Sequence, residues 1–420
     1  MTLSHTYGFP SLTITVVMLQ CCTIVNRFIM LIMFKLPRFI STLFLSVSVA
    51  TTGAQANSAP SIIPKPPALA ATSYILVDAN SGEVLVEHNA DKVVPMASLT
   101  KLMTSYIVTE ELAYGKITEE ESTRVSVKAW KAEGSRMFIR EGTRVKVGDL
   151  LKGVIIQSGN DASIALAEHI SGTEDAFVDV MNQYAMEMGM GNTRFKNATG
   201  LPAEGHQSTA RDLSKLAHHI IYDHPEHYTL YKEKEFKFNN ISQKNRNLLL
   251  FWDPRVDGLK TGHTEEAGFC LVSSAVEGDM RLIAVVMGTN SERARARESQ
   301  KLLTYGFRYF ESHKLFGEDE VLQNAPVWLG QSEEVALGVK DGAFITIPRG
   351  QKGNLKVEYS IDDVIKAPVV MGVEYGRITV SLEDKVLMDK ALVSLSEVSE
   401  AGFFARVWDY IKLFFYSLFS

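Results

Sequence analysis

The chain carries Ser98-Leu99-Thr100-Lys101, Ser158-Gly159-Asn160 and Lys260-Thr261-Gly262 in this order, and the three motifs together predict one active site. A serine hydroxyl is a poor nucleophile at neutral pH and needs a base within hydrogen-bond reach. Residues three apart on a helix lie on the same face, so Lys101 can be the base for Ser98. Each motif alone is weak, because such short runs arise easily by chance. Their joint occurrence favours nucleophilic catalysis.

A lysine acts as a base near neutral pH only if burial or a nearby cation lowers its pKa. The apolar neighbours Met96, Leu99 and Leu102 predict dry surroundings for Lys101, and Lys260 is a candidate for the cation.

The other two motifs each allow a simpler structural interpretation. Ser158-Gly159-Asn160 precedes a predicted helix, so it could be only an N-cap; otherwise its hydroxyl could relay a proton and its amide could bind a substrate. Lys260-Thr261-Gly262 enters a predicted strand, where an exposed lysine is common. On an edge strand, however, the lysine and threonine side chains can meet an anionic group, and the glycine lets another backbone approach closely.

Apolar periodicity predicts strands around a helix-rich middle, which is typical of an α/β or α+β domain with a sheet covered by helices, over residues 73–314. The predicted strands are 73–78, 83–87, 268–276 and 281–287. The predicted helices are 98–111, 149–157, 161–170, 176–188, 210–223 and 293–310. Beyond residue 314, short alternating runs separated by Gly, Pro and Asp predict a small all-β sandwich domain over 315–397, which we expect to be a spacer or docking module.

The last segment, residues 398–420, predicts an amphipathic helix. Charged side chains occur on one side, at Arg406, Asp409 and Lys412. Apolar side chains recur at helical spacing on the other, at Phe403, Phe404, Val407, Trp408, Ile411, Phe414, Phe415, Leu418 and Phe419. The segment is too short and too charged to span a bilayer, so we expect it to lie in the plane of a membrane surface, through residues 403–420. Packing on the protein's own body is the alternative.

Residues 1–56 read as an N-terminal extension and a secretory signal peptide, cleaved after Ala56. The basic and apolar regions of the signal begin near Met33, so translation is expected to start at Met30 or Met33. An unusually long basic region, or an uncleaved anchor that includes residues 16–33, is the alternative. A proline-rich linker is predicted over 57–72.

Composition narrows the function further. The length of 420 residues indicates two domains. The formal net charge of -6 argues against nucleic acid as a partner, because phosphate binding needs a basic surface. Cys21 and Cys22 fall in the segment predicted to be removed, and Cys270 lies in a predicted strand, where a buried inert thiol is expected. The histidines show no metal-ligand spacing, so we expect no metal and no cofactor.

The motifs and their surroundings resemble the low-molecular-mass penicillin-binding proteins, specifically the D-alanyl-D-alanine carboxypeptidases of the penicillin-binding protein 5 and 6 group. The resemblance rests on residues 97–104, 157–162, 257–264 and 301–307 and continues into the β-rich part. It implies a β-lactamase/transpeptidase-like catalytic domain, with Ser98 as the acylated nucleophile and Lys101 as its general base. Ser158 would relay a proton, and backbone N–H groups, including that of Ser98, would bind the oxyanion.

The same resemblance implies how the substrate is held. Asn160 would bind the peptide, and the Lys260-Thr261-Gly262 strand would position the terminal D-alanine carboxylate. Arg295 would add a second cation, although Arg293 and Arg297 alternate with it and the sequence does not show which of the three faces the cleft.

The function implied is a serine-type D-Ala-D-Ala carboxypeptidase that trims peptidoglycan pentapeptides and binds β-lactams as covalent inhibitors. It would be periplasmic and peripherally attached to the outer face of the inner membrane. An S-G-N motif in place of S-D-N, and the lack of an E-x-x-L-N run, argue against a class A β-lactamase. The alternatives are a β-lactamase-like hydrolase and a catalytically silent wall-binding protein.

Overall fold

The computed structural model describes residues 63–419. The predicted signal peptide, the predicted starts at Met30 and Met33 and the first residues of the linker therefore lie outside the described residues.

A five-stranded antiparallel sheet forms the centre of the first part of the chain. Its strands are β1 (Ser73–Asp78), β2 (Val84–His88), β3 (Val256–Thr264), β4 (Gly268–Glu277) and β5 (Met280–Thr289), in the spatial order β2-β1-β5-β4-β3. The strand order brings the beginning and the end of this part together, because β1 pairs with β5 over its whole length. It also leaves β3, which carries the Lys260-Thr261-Gly262 motif, at one edge.

Helices cover both faces of this sheet because its strands alternate between two apolar sides. On β5, Ile283 and Val285 belong to a large core shared with the helices that follow β2, whereas Leu282 and Ala284 belong to a second core on the other face. The longer helices are α1 (Lys101–Ala113), α2 (Val147–Lys152), α3 (Asn160–Ser171), α4 (Glu174–Glu187), α5 (Ala210–Tyr222) and α6 (Glu292–Tyr309). Helix α6 supplies the core of the second face.

Short elements fill the spaces between these helices. They are one-turn helices at Val127–Trp130, Pro225–Tyr228 and Leu249–Trp252 and the strand pairs Val94–Pro95 with Gln207–Ser208, Ser122–Arg124 with Arg144–Lys146, and Glu235–Phe238 with Ile241–Lys244.

The second part of the chain is built from strands packed in two layers. The strands are β6 (Phe310–Phe316), β7 (Val321–Trp328), β8 (Glu334–Gly338), β9 (Ala343–Pro348), β10 (Leu355–Ile361), β11 (Ile365–Lys366), β12 (Glu374–Leu382) and β13 (Lys385–Ser394). Six form one sheet in the order β10-β12-β13-β8-β7-β11, and β6 pairs with β9. Buried residues of β9 share one core with those of the larger sheet, which gives the layered arrangement. The chain ends in α7 (Phe403–Phe419).

The fold class predicted from the sequence is confirmed: a mixed helix-and-sheet part is followed by an all-β part and a terminal helix. Within the described residues, no helix is both long and apolar enough to cross a membrane.

Polar contacts join the two parts beside the β1–β2 turn. The Thr346 hydroxyl on β9 donates to Asp78 Oδ2 at 2.7 Å and also contacts the Ser81 hydroxyl. Lys385 forms an ion pair with Glu83 at 3.0 Å. Burial raises the pKa of the Asp78 carboxyl, and the hydrogen bond from Thr346 opposes that rise. Thr346 therefore stabilises a carboxylate that is otherwise costly to bury.

We expect Thr346→Val to lower the free energy of unfolding by about 1–3 kcal/mol, because it leaves a buried carboxylate oxygen without its donor. Equilibrium unfolding in urea measures the change. The matched control is Thr379→Val on β12, a half-buried threonine outside this contact. An equal loss in both variants would contradict a stabilising role for the contact between the two parts.

Candidate active site

Ser98 and Lys101 lie at the entrance to α1. The predicted helix 98–111 begins three residues later than expected, because Ala97–Thr100 forms a tighter 3₁₀ turn and α1 starts at Lys101. The Lys101 Nζ atom lies 3.0 Å from Ser98 Oγ. Gly200 presses against this turn with φ +82°, and a Cβ there would lie only 2.0 Å from the Ala97 carbonyl oxygen. The loop containing Gly200 thus helps to fix the position of the serine.

Lys101 is fully buried, with 0% of its surface exposed. It can be buried because residues 101–110 of α1 are enclosed on every side by the core. Burial is the main cause that lowers the pKa of Lys101 to about 7; the charge of Arg246 lowers it further, and that of Asp161 raises it. Besides Ser98, its amine contacts Asn160 Oδ1 at 2.7 Å and the Thr199 carbonyl oxygen. The expectation of a dry environment is confirmed.

The turn Ser158-Gly159-Asn160 lies directly beside this lysine. The predicted helix 149–157 divides into α2 and a π-helical turn, Gly153–Gln157, after which Ser158 takes the left-handed conformation with φ 65°. Gly159, not serine, is the N-cap of α3, and no side chain caps that helix end. The interpretation of Ser158 as a simple N-cap is therefore wrong. The side chain is instead buried, with 2% exposed.

Asn160 and Asp161 fasten the segment 133–139, here called the active-site loop, onto this turn. Asn160 Nδ2 donates to the Glu133 carbonyl oxygen at 2.6 Å. The Asp161 carboxylate accepts backbone N–H groups from Met137 at 3.0 Å and Phe138 at 2.9 Å, and from Ile139 and Ala162. One buried carboxylate thus satisfies four donors, which explains how an irregular loop can stay in one place.

The strand β3 forms the opposite wall. Lys260 is buried, with 3% exposed, and its Nζ atom lies 3.1 Å from the Thr261 carbonyl oxygen. Gly262 packs on the Ala97–Thr100 turn so closely that a Cβ would lie 3.0 Å from the Met96 carbonyl oxygen and 3.3 Å from the Ala97 Cβ. A larger residue here would require the strand or the turn that carries Ser98 to shift by a few tenths of an ångström.

Arg295 reaches β3 from α6. Its guanidinium donates to the Gly262 carbonyl oxygen at 3.1 Å and lies over the ring of Phe269, 5.6 Å from its centroid. Arg295 is 3% exposed, whereas Arg293 and Arg297 are exposed on the other sides of the helix. Of the three alternating arginines, Arg295 is the one against the motif strand.

The basic groups of the cleft repel one another. The pKa of Lys260 falls well below its ordinary value, mainly through burial and then through the charges of Lys101, Arg246 and Arg295. Burial likewise lowers the pKa of Arg295. A cleft with several cations that depress one another's pKa values is suited to receive an anion.

Three further residues contribute to the candidate active site but carry no recognisable signal in the sequence. Thr199 acts through its backbone carbonyl, and Arg246 comes from a distant loop. His206 contacts the Thr100 hydroxyl at 2.6 Å through Nε2, while its Nδ1 accepts the Lys196 N–H at 3.0 Å. Burial lowers the pKa of His206 to about 4, so the ring is neutral and holds the start of α1 in place. An isolated histidine or a backbone carbonyl gives no sequence signal.

The arrangement can perform nucleophilic chemistry without a carboxylate base. Both oxygens of Asp161 are occupied by backbone donors, and within residues 63–419 no group of His, Cys, Asp or Glu side chains could hold a metal ion. Cys270 is buried and burial raises its pKa to about 11, as expected for an inert thiol.

Comparisons with known proteins agree with this geometry. A family model described as D-alanyl-D-alanine carboxypeptidase matches residues 60–291, and one described as penicillin-binding protein 5, C-terminal domain, matches residues 310–400. D-alanyl-D-alanine carboxypeptidase DacC of Escherichia coli (strain K12) is 44% identical over 387 residues, which cover 90% of this chain and 95% of that protein.

Solved structures give the same result. The crystal structure of penicillin-binding protein 5 from Haemophilus influenzae has a TM-score of 0.78 and 42% identity, covering 80% of this chain and 100% of that one. Penicillin-binding protein D2 from Listeria monocytogenes, in its ampicillin-bound form, has a TM-score of 0.53 and 32% identity, covering 57% of this chain and 98% of that one. The chain therefore belongs to the family of serine-type D-alanyl-D-alanine carboxypeptidases, in the penicillin-binding protein 5 and 6 group that its three motifs resemble.

Proposed function

We propose that this carboxypeptidase removes the terminal D-alanine of peptidoglycan pentapeptides through an acyl-enzyme on Ser98, with Lys101 as the general base. The observation that carries the proposal is the 3.0 Å contact between Ser98 Oγ and a fully buried lysine whose pKa is about 7. A base with a pKa near the working pH combines a large unprotonated fraction with useful basicity.

The proposed reaction begins when neutral Lys101 accepts the hydroxyl proton as Ser98 attacks the carbonyl carbon of the penultimate D-alanine. The proton then passes to the leaving amine, with Ser158 as the relay, and free D-alanine departs. Water attacks the resulting ester and regenerates Ser98. Asn160 holds the peptide while its Oδ1 atom accepts a hydrogen bond from the Lys101 amine at 2.7 Å. One side chain thus orients both the base and the substrate.

We assign recognition of the terminal carboxylate to Lys260 and Thr261, with Gly262 placing the strand and Arg295 adding charge. The depressed pKa values of Lys260 and Arg295 support this assignment, because an incoming carboxylate restores the stability of their charged forms. A β-lactam carries an equivalent carboxylate beside its reactive carbonyl, which accounts for the expected covalent inhibition.

Incubation with benzylpenicillin should add the mass of one penicilloyl group to the protein, and peptide mapping should place it on Ser98. Ser98→Ala should abolish both the adduct and the release of D-alanine, because no other hydroxyl contacts the Lys101 amine among the described contacts. Ser171→Ala, at the end of α3, is the matched control and should keep both. An adduct on another residue would overturn the assignment.

The rate of acylation by benzylpenicillin should rise with pH and reach half its maximum near pH 7, because the neutral form of Lys101 predominates only above its pKa. Arg246→Gln should move this midpoint to higher pH, since the charge of Arg246 lowers the pKa of Lys101. A rate that stays constant between pH 5.5 and 8.5, or a midpoint that moves down in the variant, would contradict Lys101 as the base.

Relative turnover separates the alternative functions. A β-lactamase-like hydrolase would release penicilloate faster than it releases D-alanine from a D-Ala-D-Ala peptide, and a silent wall-binding protein would do neither. The lack of a carboxylate in contact with Ser98 or Lys101 among the described contacts favours the carboxypeptidase, because no carboxylate there can activate water for fast hydrolysis of a penicilloyl ester.

We further propose that α7 attaches the enzyme to the periplasmic surface of the inner membrane. Its polar side faces the protein: Asp409 Oδ2 accepts the Leu329 N–H at 3.1 Å, and Arg406 pairs with Glu400. Its apolar side is left uncovered by the described residues, with Phe404 86% and Trp408 60% exposed. Among the described side chains, only a few apolar ones contact the body, such as half-buried Leu413 and Tyr416 beside the Trp328 ring, and the exposure of the others supports insertion into the headgroup boundary.

Phe404→Glu combined with Trp408→Glu should lower binding to phosphatidylethanolamine/phosphatidylglycerol vesicles by at least about a hundredfold, since each bulky apolar side chain contributes about 1.5–3 kcal/mol on burial. Co-sedimentation measures the change. The control is Val357→Glu combined with Tyr359→Glu, two exposed apolar residues on β10. Undiminished sedimentation of a chain ending at Glu400 would contradict α7 as the anchor.

A further inference from the structure

A groove beside the active-site loop has no part in the three motifs. It encloses about 680 Å³ and is lined by Trp130, Arg136, Phe138, Arg140, Asn240 and Ile241, among others. We call it the arginine groove. Its side chains come from the one-turn helix 127–130, the active-site loop with the residues that follow it, and the turn between the strands Glu235–Phe238 and Ile241–Lys244.

Two hydrogen bonds link the catalytic residues to the segment that lines the arginine groove. Lys101 donates to Asn160, and the backbone N–H of Asn160 donates to the Ser135 carbonyl oxygen at 2.7 Å. The next residue, Arg136, already lines the groove. The Gln243 amide donates to the Arg136 carbonyl oxygen at 3.1 Å, which joins the loop to the neighbouring strand. The groove is therefore lined by a segment that is hydrogen-bonded to the proposed peptide-binding asparagine.

Apolar side chains line the groove but remain open to solvent. Trp130 is 40%, Phe138 44% and Ile241 40% exposed. Phe138 takes a φ of 69°, a conformation that costs free energy for a bulky residue. The loop accepts that cost while the Asp161 carboxylate binds the Phe138 N–H at 2.9 Å. An exposed aromatic ring held in an unfavourable backbone conformation indicates a binding role for the ring.

Two cations lie among these apolar groups. Arg136 and Arg140 are exposed and take part in none of the ion pairs formed by the described residues. The guanidinium of Arg136 lies over the Phe138 ring, 5.5 Å from its centroid, which orients the group without neutralising it. At the opposite rim, Asn239 and Asn240 form the turn with positive φ values of 45° and 61°. The groove thus offers unpaired guanidinium donors, amides and apolar walls together.

We propose that the arginine groove binds the part of the wall stem peptide that precedes D-Ala-D-Ala, with its free carboxylates on Arg136 and Arg140. The proposal rests on the proposed function, because the bound segment belongs to the peptide that the neighbouring cleft is proposed to cleave. A guanidinium binds a carboxylate through charge-assisted and often paired hydrogen bonds. The apolar side chains fit the aliphatic parts of such a peptide, and binding energy gained away from the reacting bond can be used to align it.

The test compares two substrates in the full chain. One is the short peptide diacetyl-L-Lys-D-Ala-D-Ala, whose one charge is the terminal carboxylate, and the other is a disaccharide pentapeptide that also has free stem carboxylates. Arg136→Gln combined with Arg140→Gln should lower the ratio of kcat/KM for the long substrate to that for the short one by about tenfold or more. Arg136→Lys combined with Arg140→Lys should recover part of that ratio, because it restores the charge.

The matched control is Arg124→Gln combined with Arg194→Gln, which removes two exposed charges outside the groove and should leave the ratio unchanged. Amidation of the stem carboxylates should lower the wild-type ratio to that of the Gln variant. Raised salt should weaken the preference of the wild type, since exposed charges are screened.

An equal loss on both substrates in the Gln variant would overturn the proposal, since it would mean that the arginines only support the loop. An unchanged ratio would also overturn it. The proposed function fails on a different result, namely wild-type protein that neither releases D-alanine from the short peptide nor forms the penicilloyl adduct.

Discussion

The burial of the Lys101 amine is the constraint on which the rest of the structure depends. A lysine can lose all contact with solvent only inside a complete core, and α1 lies in one, between the central sheet and the surrounding helices. The cost of burial appears as a pKa near 7, and under the proposed function that lowered pKa lets the amine act as the base. The burial that disfavours the charged form of the amine therefore also favours its neutral, basic form.

The neighbouring elements can be understood as means of keeping that amine in place. Asn160 and the Thr199 carbonyl take its remaining hydrogen bonds, and each comes from a segment that is itself fastened. Asp161 collects four backbone donors, and Gly200 and Gly262 permit contacts that a Cβ would prevent. Because these segments are irregular, side-chain and backbone hydrogen bonds do the work that regular secondary structure does elsewhere.

The terminal helix and the arginine groove depart from ordinary packing in a similar way. In α7 the charged side contacts the protein and the aromatic side is exposed, while in the groove aromatic side chains stand open beside unpaired guanidinium groups. Each arrangement is unfavourable for the isolated chain. These are the two surfaces for which we propose the membrane and the wall polymer as partners.

The sequence by itself determined the fold class, the motif residues and the amphipathic end, because these depend on residue type and local spacing. It could not determine that Ser98 lies on a 3₁₀ turn, that Ser158 follows a π-helical turn, or which of three arginines contacts β3. It also gave no signal for Thr199, Arg246 or His206. These features were decided by the tertiary structure, because a carbonyl direction, a pKa or a cation from a distant loop exists only once separate segments are packed together.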